Sequence, residues 1–74
     1  MTIEMITNET TGLPVLKATK RGCTNVFGWV SPQGVKSDSI GSARASFASL
    51  NITLTARDMK QMEKAIDAME IASN

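Results

Sequence analysis

A chain of 74 residues with one cysteine, Cys23, and no histidine has no staple to reinforce it. An intrachain disulfide needs a second thiol, and a zinc knuckle needs more ligands than one. A domain of this size buries only about 60% of the surface its unfolded chain exposes. The fold must therefore close by side-chain packing alone or draw on a second copy of itself. The material for packing is present: 42% of residues are apolar and 20% charged, the usage of a globular domain and not of a disordered chain. One domain over residues 1–74 is expected.

Hydrophobic patterning changes near residue 37. Residues 1–37 read as strands and turns. Ile3, Met5 and Ile6 alternate imperfectly with polar residues between Thr2 and Thr7, and Asn8-Glu9-Thr10-Thr11-Gly12 is a turn cluster. Pro14 to Thr19 is a second strand candidate. Asn25 to Val30 is the clearest, with Val26, Gly28 and Val30 alternating with Phe27 and Trp29. Ser31-Pro32-Gln33-Gly34 has the chemistry of a type I turn, after which Val35-Lys36-Ser37 can return. The expectation is an antiparallel meander of three strands, with room for a short fourth.

Residues 38–74 read as helix. Asp38 or Ser39 can cap a first segment whose apolar positions Ile40, Ala43, Phe47 and Leu50 recur at helical spacing. Gly41 weakens its first turn by about 1 kcal/mol relative to alanine. The second segment, 55–71, opens with Thr55-Ala56-Arg57-Asp58, a start resembling a capping box. Met59, Met62, Ile66 and Met69 then form one apolar stripe, read as core packing, with a contact face for a partner as the other option. Ile52 and Leu54 in the connector should tuck into the core. The fold class is thus α+β: a small antiparallel sheet packed by two C-terminal helices.

The three aromatics, Phe27, Trp29 and Phe47, are expected to anchor the core. Trp29, Phe47, Met62 and Ile66 should be largely buried, and Trp29→Ala should cost about 3–5 kcal/mol.

Catalytic chemistry is poorly supplied. Cys23 has no histidine to serve as its base, and the seven carboxylates form no local pair suited to glycoside hydrolysis or metal binding. No glycine-rich phosphate loop follows a strand. The expectation is a non-enzymatic protein with no catalytic residue, no cofactor and no metal.

Two clusters of positive charge are candidates for partner binding. Lys17, Lys20 and Arg21 flank Gly22 ahead of the best strand, a basic loop that could meet phosphates while Phe27 and Trp29 stack on bases. Arg57, Lys60 and Lys64 lie together on the second helix, nearly opposite the Met stripe, beside an acidic strip of Glu63, Asp67 and Glu70. Lys60–Glu63 and Lys64–Asp67 pairs on a solvated face are the simpler reading. Gly41-Ser42, Ala45-Ser46 and Ser49 put small side chains on one side of the first helix, an exposed polar face or a close-approach surface.

Leu50-Asn51-Ile52-Thr53 faintly resembles the turn of a helix-turn-helix module, with Arg57, Lys60, Gln61 and Lys64 facing the groove. Against this, charged Arg57 falls where a recognition helix buries a residue, and a net charge of +1 makes no large electrostatic footprint.

No segment has the length and apolarity of a signal peptide or a membrane span. Asn8-Glu9-Thr10 and Asn51-Ile52-Thr53 match the glycosylation pattern by chance in a chain with 15 Ser and Thr. Together with a lone free thiol this gives a cytoplasmic expectation with no membrane partner. Small size, balanced charge, abundant Ser and Thr and no catalytic kit are similar in style to accessory proteins of phages and other mobile elements. The functional expectation is stoichiometric binding to a macromolecular partner, more readily protein than nucleic acid, as an inhibitor of a host or defence complex. The alternative is a small DNA-binding regulator using the 55–71 helix or the basic loop 17–21. A homodimer is expected, through the Met stripe or an open strand edge.

Overall fold

Four strands come first and two helices last: β1 (Thr2–Thr7), β2 (Pro14–Lys20), β3 (Cys23–Val30), β4 (Lys36–Asp38), α1 (Ile40–Ser49) and α2 (Ala56–Ala68). The computed structural model describes residues 1–69. The strands pair antiparallel in the order β1-β2-β3-β4, a simple meander, so the fourth short strand is present. Both helices pack on one side of it, over β2, β3 and β4. This is the α+β arrangement expected from the patterning.

The turns follow their local chemistry. Asn8 Oδ1 accepts from the N–H groups of Thr10 and Thr11, closing the first hairpin. Lys20 pairs with Cys23 across a two-residue turn in which Arg21 (φ 52°) and Gly22 (φ 79°) are both left-handed. This is a type I′ turn, which suits the twist of the flanking strands but makes Arg21 bear a conformation that favours Gly or Asn. Gly34 donates to the Ser31 carbonyl at 2.8 Å, completing the expected turn into β4.

A register shift between Leu16 and Lys17 sets the layout of the sheet. Leu16 opposes Gly28 but Lys17 opposes Val26, which leaves Phe27 as the extra residue of a bulge in β3. Inward parity changes there. Cys23 and Phe27 face the helices before the bulge, and Gly28 and Val30 face them after it. Trp29 is consequently turned outward and is 36% exposed. This corrects the expectation that Phe27 and Trp29 both anchor the core: strict alternation would put them on one face, and the bulge divides them.

The core holds Leu16, Ala18, Phe27, Val30, Ala43, Phe47, Ile52, Leu54, Met62 and Met69, with Met59 and Ile66 only half buried at its margin. The Met stripe is therefore core-facing, and the two connector residues do tuck in. Leu50, expected on the buried side of α1, is 56% exposed because the helix stops at Ser49. Asn51 (φ 62°) ends the helix, with its N–H donating to Ala48 and that of Ile52 to Phe47. That is a Schellman motif, and its usual apolar contact is supplied by buried Ile52 and Phe47. At the other end Ser39 makes no side-chain cap, and it is Asp38, the other candidate, whose Oδ1 accepts from the Ile40 N–H at 3.4 Å.

The second helix is held at both ends by lysines from the sheet. Thr55 Oγ1 accepts from the Asp58 N–H at 3.1 Å, and Asp58 Oδ2 accepts from the Thr55 N–H at 3.0 Å, so both arms of the capping box form. Lys20 then reaches from the end of β2 to Asp58 Oδ2 at 2.6 Å and to the Thr53 carbonyl at 3.0 Å. Lys36 on β4 donates to the Asp67 carbonyl at 2.9 Å, a cation at the negative end of the helix. The helical segment expected over 55–71 ends at Ala68; residues 70 and 71 lie outside the described part.

Close packing of α2 on the sheet depends on Gly28. A Cβ there would overlap Ile66 Cδ1 and lie 3.2 Å from Leu16 Cδ1. Gly28→Ala should destabilise the fold by about 0.5–1.5 kcal/mol, the cost of turning the tip of the half-buried Ile66 side chain off its preferred rotamer. Ile66→Val removes the offending methyl, so in the Gly28→Ala background it should restore stability that it costs in the parent. Thermal melts of the four proteins check this: strictly additive effects would mean that the two residues do not collide.

Candidate functional site

The strand alternation that builds the core also distributes the basic residues. Leu16 and Ala18 are buried, so Lys17 between them points to the side of the sheet without helices. Lys20 falls on the helix side and is committed to Asp58 in the one salt bridge among the described residues. Arg21 occupies the tip of the type I′ turn and is exposed. Lys17, Lys20 and Arg21, within five residues of one another, are thus not one loop: they lie on a strand face, in an ion pair and on a hairpin tip.

Among the described residues, Asp58 is the group whose acidity the fold changes most. Its pKa falls from 3.8 to about 2, first through the bond from Lys20 and then through the Thr55 N–H, against a smaller opposing effect of burial. Lys20 and Asp58 therefore connect β2 to the start of α2 and serve the fold.

On α2 the period of 3.6 keeps its promise. Arg57, Lys60 and Lys64, with Gln61, line one shallow depression of about 480 Å³ on the exposed face of the helix. Gln61 also donates to the Met1 carbonyl at 3.4 Å, which places this face beside the start of β1. The Lys60–Glu63 and Lys64–Asp67 pairs are not formed, so the three cations face solvent without a carboxylate partner among the described residues. The connection between the helices runs over residues 50–55, longer than the three- or four-residue turn of a helix-turn-helix module.

Patterning did not anticipate a second surface. With both helices on one side, the other face of the sheet is left open. The register aligns Ile6, Val15, Trp29 and Ser37 in one row across all four strands. A neighbouring row holds Glu4, Lys17 and Val26. A third holds Thr2, Thr19 and Thr24, the last two joined through their hydroxyls at 2.8 Å. Val26 is 43% exposed. An apolar strip centred on tryptophan, rimmed by threonines and Lys17, therefore looks outward. The sequence signal for it was Gly28: a glycine inside a strand marks a bulge, and a bulge here predicts that Phe27 and Trp29 part company.

Among the described residues no cluster of acidic or cysteine side chains could hold a metal ion, and no helix is long and apolar enough to cross a membrane. The chain matches no protein-family model, and no curated protein or solved structure shows significant similarity to it.

Proposed function

We propose that this protein acts by stoichiometric binding to a protein partner through the open face of its sheet, as a small inhibitor that occupies a surface of a larger host or defence complex. The observation that supports this reading is the outward-facing Trp29 in the row Ile6–Val15–Trp29. Tryptophan is a costly residue to leave on a surface and a favoured anchor at interfaces, where its large rigid ring fills a pocket at small entropic cost. Lys17 beside the strip and Arg21 at the adjoining turn favour a partner whose apolar pocket has an acidic rim.

A second reading is a DNA-binding regulator that uses the α2 depression. Arg57, Lys60 and Lys64, which have no carboxylate partner among the described residues and line one concave surface, support it. One experiment separates the two. Tagged protein is used to recover partners from lysate with and without nuclease, as the parent, as Trp29→Ala and as Arg57, Lys60 and Lys64 all converted to Gln. The first reading expects nuclease-resistant recovery that Trp29→Ala abolishes and the triple variant retains. Recovery that needs nucleic acid and vanishes in the triple variant would establish the second. The triple variant should change folding stability by less than about 1 kcal/mol, because exposed charges contribute little; a melt lowered well beyond that would show the three cations to be structural.

A further inference from the structure

The open edge of β1 is the feature of this fold with no partner of its own. β1 is one border of the sheet, and the other border, β4, is only three residues long and turns directly into α1. The helices lie over β2, β3 and β4, and Met5 on β1 is left 61% exposed on the helix side of the sheet.

Ladder geometry tells which backbone groups are unpaired. Asn8 N–H donates to the Leu13 carbonyl at 2.8 Å, and the β1–β2 register continues without a shift from Thr7 to Thr2. Antiparallel pairing alternates, so Ile6, Glu4 and Thr2 direct their N–H and C=O groups at β2, while Thr7, Met5 and Ile3 direct theirs outward. Natural edges are usually blunted by proline, lysine, a bulge or a covering segment. β1 carries no proline, no lysine and no bulge; its single charge is Glu4.

We propose that two copies of this chain join antiparallel through β1, about a two-fold axis at Met5, into one continuous eight-stranded sheet. A second copy suits this edge because the unpaired residues are self-complementary. With the axis at Met5, Ile3 meets the other copy's Thr7 and Met5 meets Met5 in hydrogen-bonded pairs, all on the helix side. Glu4 then lies opposite Ile6 of the other copy. Moving the axis one residue, to Glu4, would bring the Glu4 carboxylates of the two copies face to face in the closest type of pair, which disfavours that register. The axis stands perpendicular to the sheet, so both Trp29 side chains emerge on the same side. This inference does not depend on what Trp29 binds.

Light scattering at several hundred micromolar should give twice the 7.9 kDa chain mass. Met5→Lys, which sets two ammonium groups against each other at the axis, should give the chain mass with an unchanged circular dichroism spectrum, since Met5 is exposed in the single copy. The register is read by cross-linking in a Cys23→Ser background. Met5→Cys should form a disulfide-linked dimer readily under mild oxidation, because directly opposed residues about 5.5 Å apart fit a disulfide. Glu4→Cys should not, its two copies being about 8 Å apart on offset positions. A chain mass for the parent at every concentration overturns the dimer. A dimer that Met5→Lys leaves intact overturns the β1 edge, and preferential cross-linking through Glu4→Cys overturns the axis.

Discussion

Phe27→Ala should abolish the cooperative melt of this protein, whereas Trp29→Ala, two residues further along the same strand, should leave a folded domain. Phe27 is fully buried between sheet and helices, and truncating such an aromatic costs about 3–5 kcal/mol in lost transfer energy and cavity formation. A 74-residue domain stands near the lower end of the 5–15 kcal/mol range of natural stabilities, so that loss removes most of what it has. Trp29 lies on the outer face between Val15 and Ser37 and loses only cross-strand contacts, up to about 1 kcal/mol for each. Its larger effect should be on partner recovery, where an anchor tryptophan is worth about 2 kcal/mol or more, near a thirtyfold change in affinity. Thermal melts of both variants decide the matter. Equal destabilisation by the two would mean that the bulge does not divide them and that the outward strip is not a surface.

The contrast also marks where local patterning stops being informative. Helical periodicity, the capping box at Thr55 and Asp58, and the turn at Ser31 to Gly34 are decided by residues within a few positions of one another, and all appear as the local chemistry dictates. The bulge is decided by how β3 meets β2 and by the room α2 needs above Gly28, neither of which alternation along β3 can express. The same limit explains the basic residues. Arg57, Lys60 and Lys64 gather on one face because a helix repeats within four residues. Lys17 and Lys20 read as one loop because their segment is short, but three steps along a strand send them to opposite faces, and Lys20 meets a carboxylate 38 positions away. Pairing over that distance is set by topology, and only the assembled meander brings those ends together.

That long-range pair should govern the response of the fold to acid. The Asp58 carboxylate accepts from Lys20 Nζ and from the Thr55 N–H, both of which favour its ionised form, so its pKa of about 2 lies below the 3.8 of an unfolded chain. A depressed pKa contributes stability that is complete above the unfolded value and is lost as pH falls through the folded one. The window is therefore pH 4 down to pH 2. The shift alone corresponds to roughly 2.5 kcal/mol at about 1.4 kcal/mol per unit. The pair borders on solvent, with side chains 20% and 9% exposed, and screening reduces the expected loss to about 1–2 kcal/mol. Asp58→Asn removes the titrating group, weakens the cap and leaves the Lys20 ammonium with only the Thr53 carbonyl. At neutral pH it should cost about 2–3 kcal/mol, the sum of a lost cap and a broken, largely covered ion pair. On a domain of this size that lowers the melting temperature by about 10–20 °C. Between pH 4 and pH 2 the gap between parent and variant should then narrow, because only the parent has this carboxylate to protonate. Lys20→Met tests the pairing from the other side: it should flatten the acid limb of the parent while Thr55 and Asp58 still cap the helix. Denaturant melts of the three proteins at pH 7, 4, 3 and 2 give the answer. Coincident curves for parent and Asp58→Asn would show that the clamp between β2 and α2 contributes nothing to folding, and curves that stay a fixed distance apart down to pH 2 would show that its contribution does not come from the Asp58 charge.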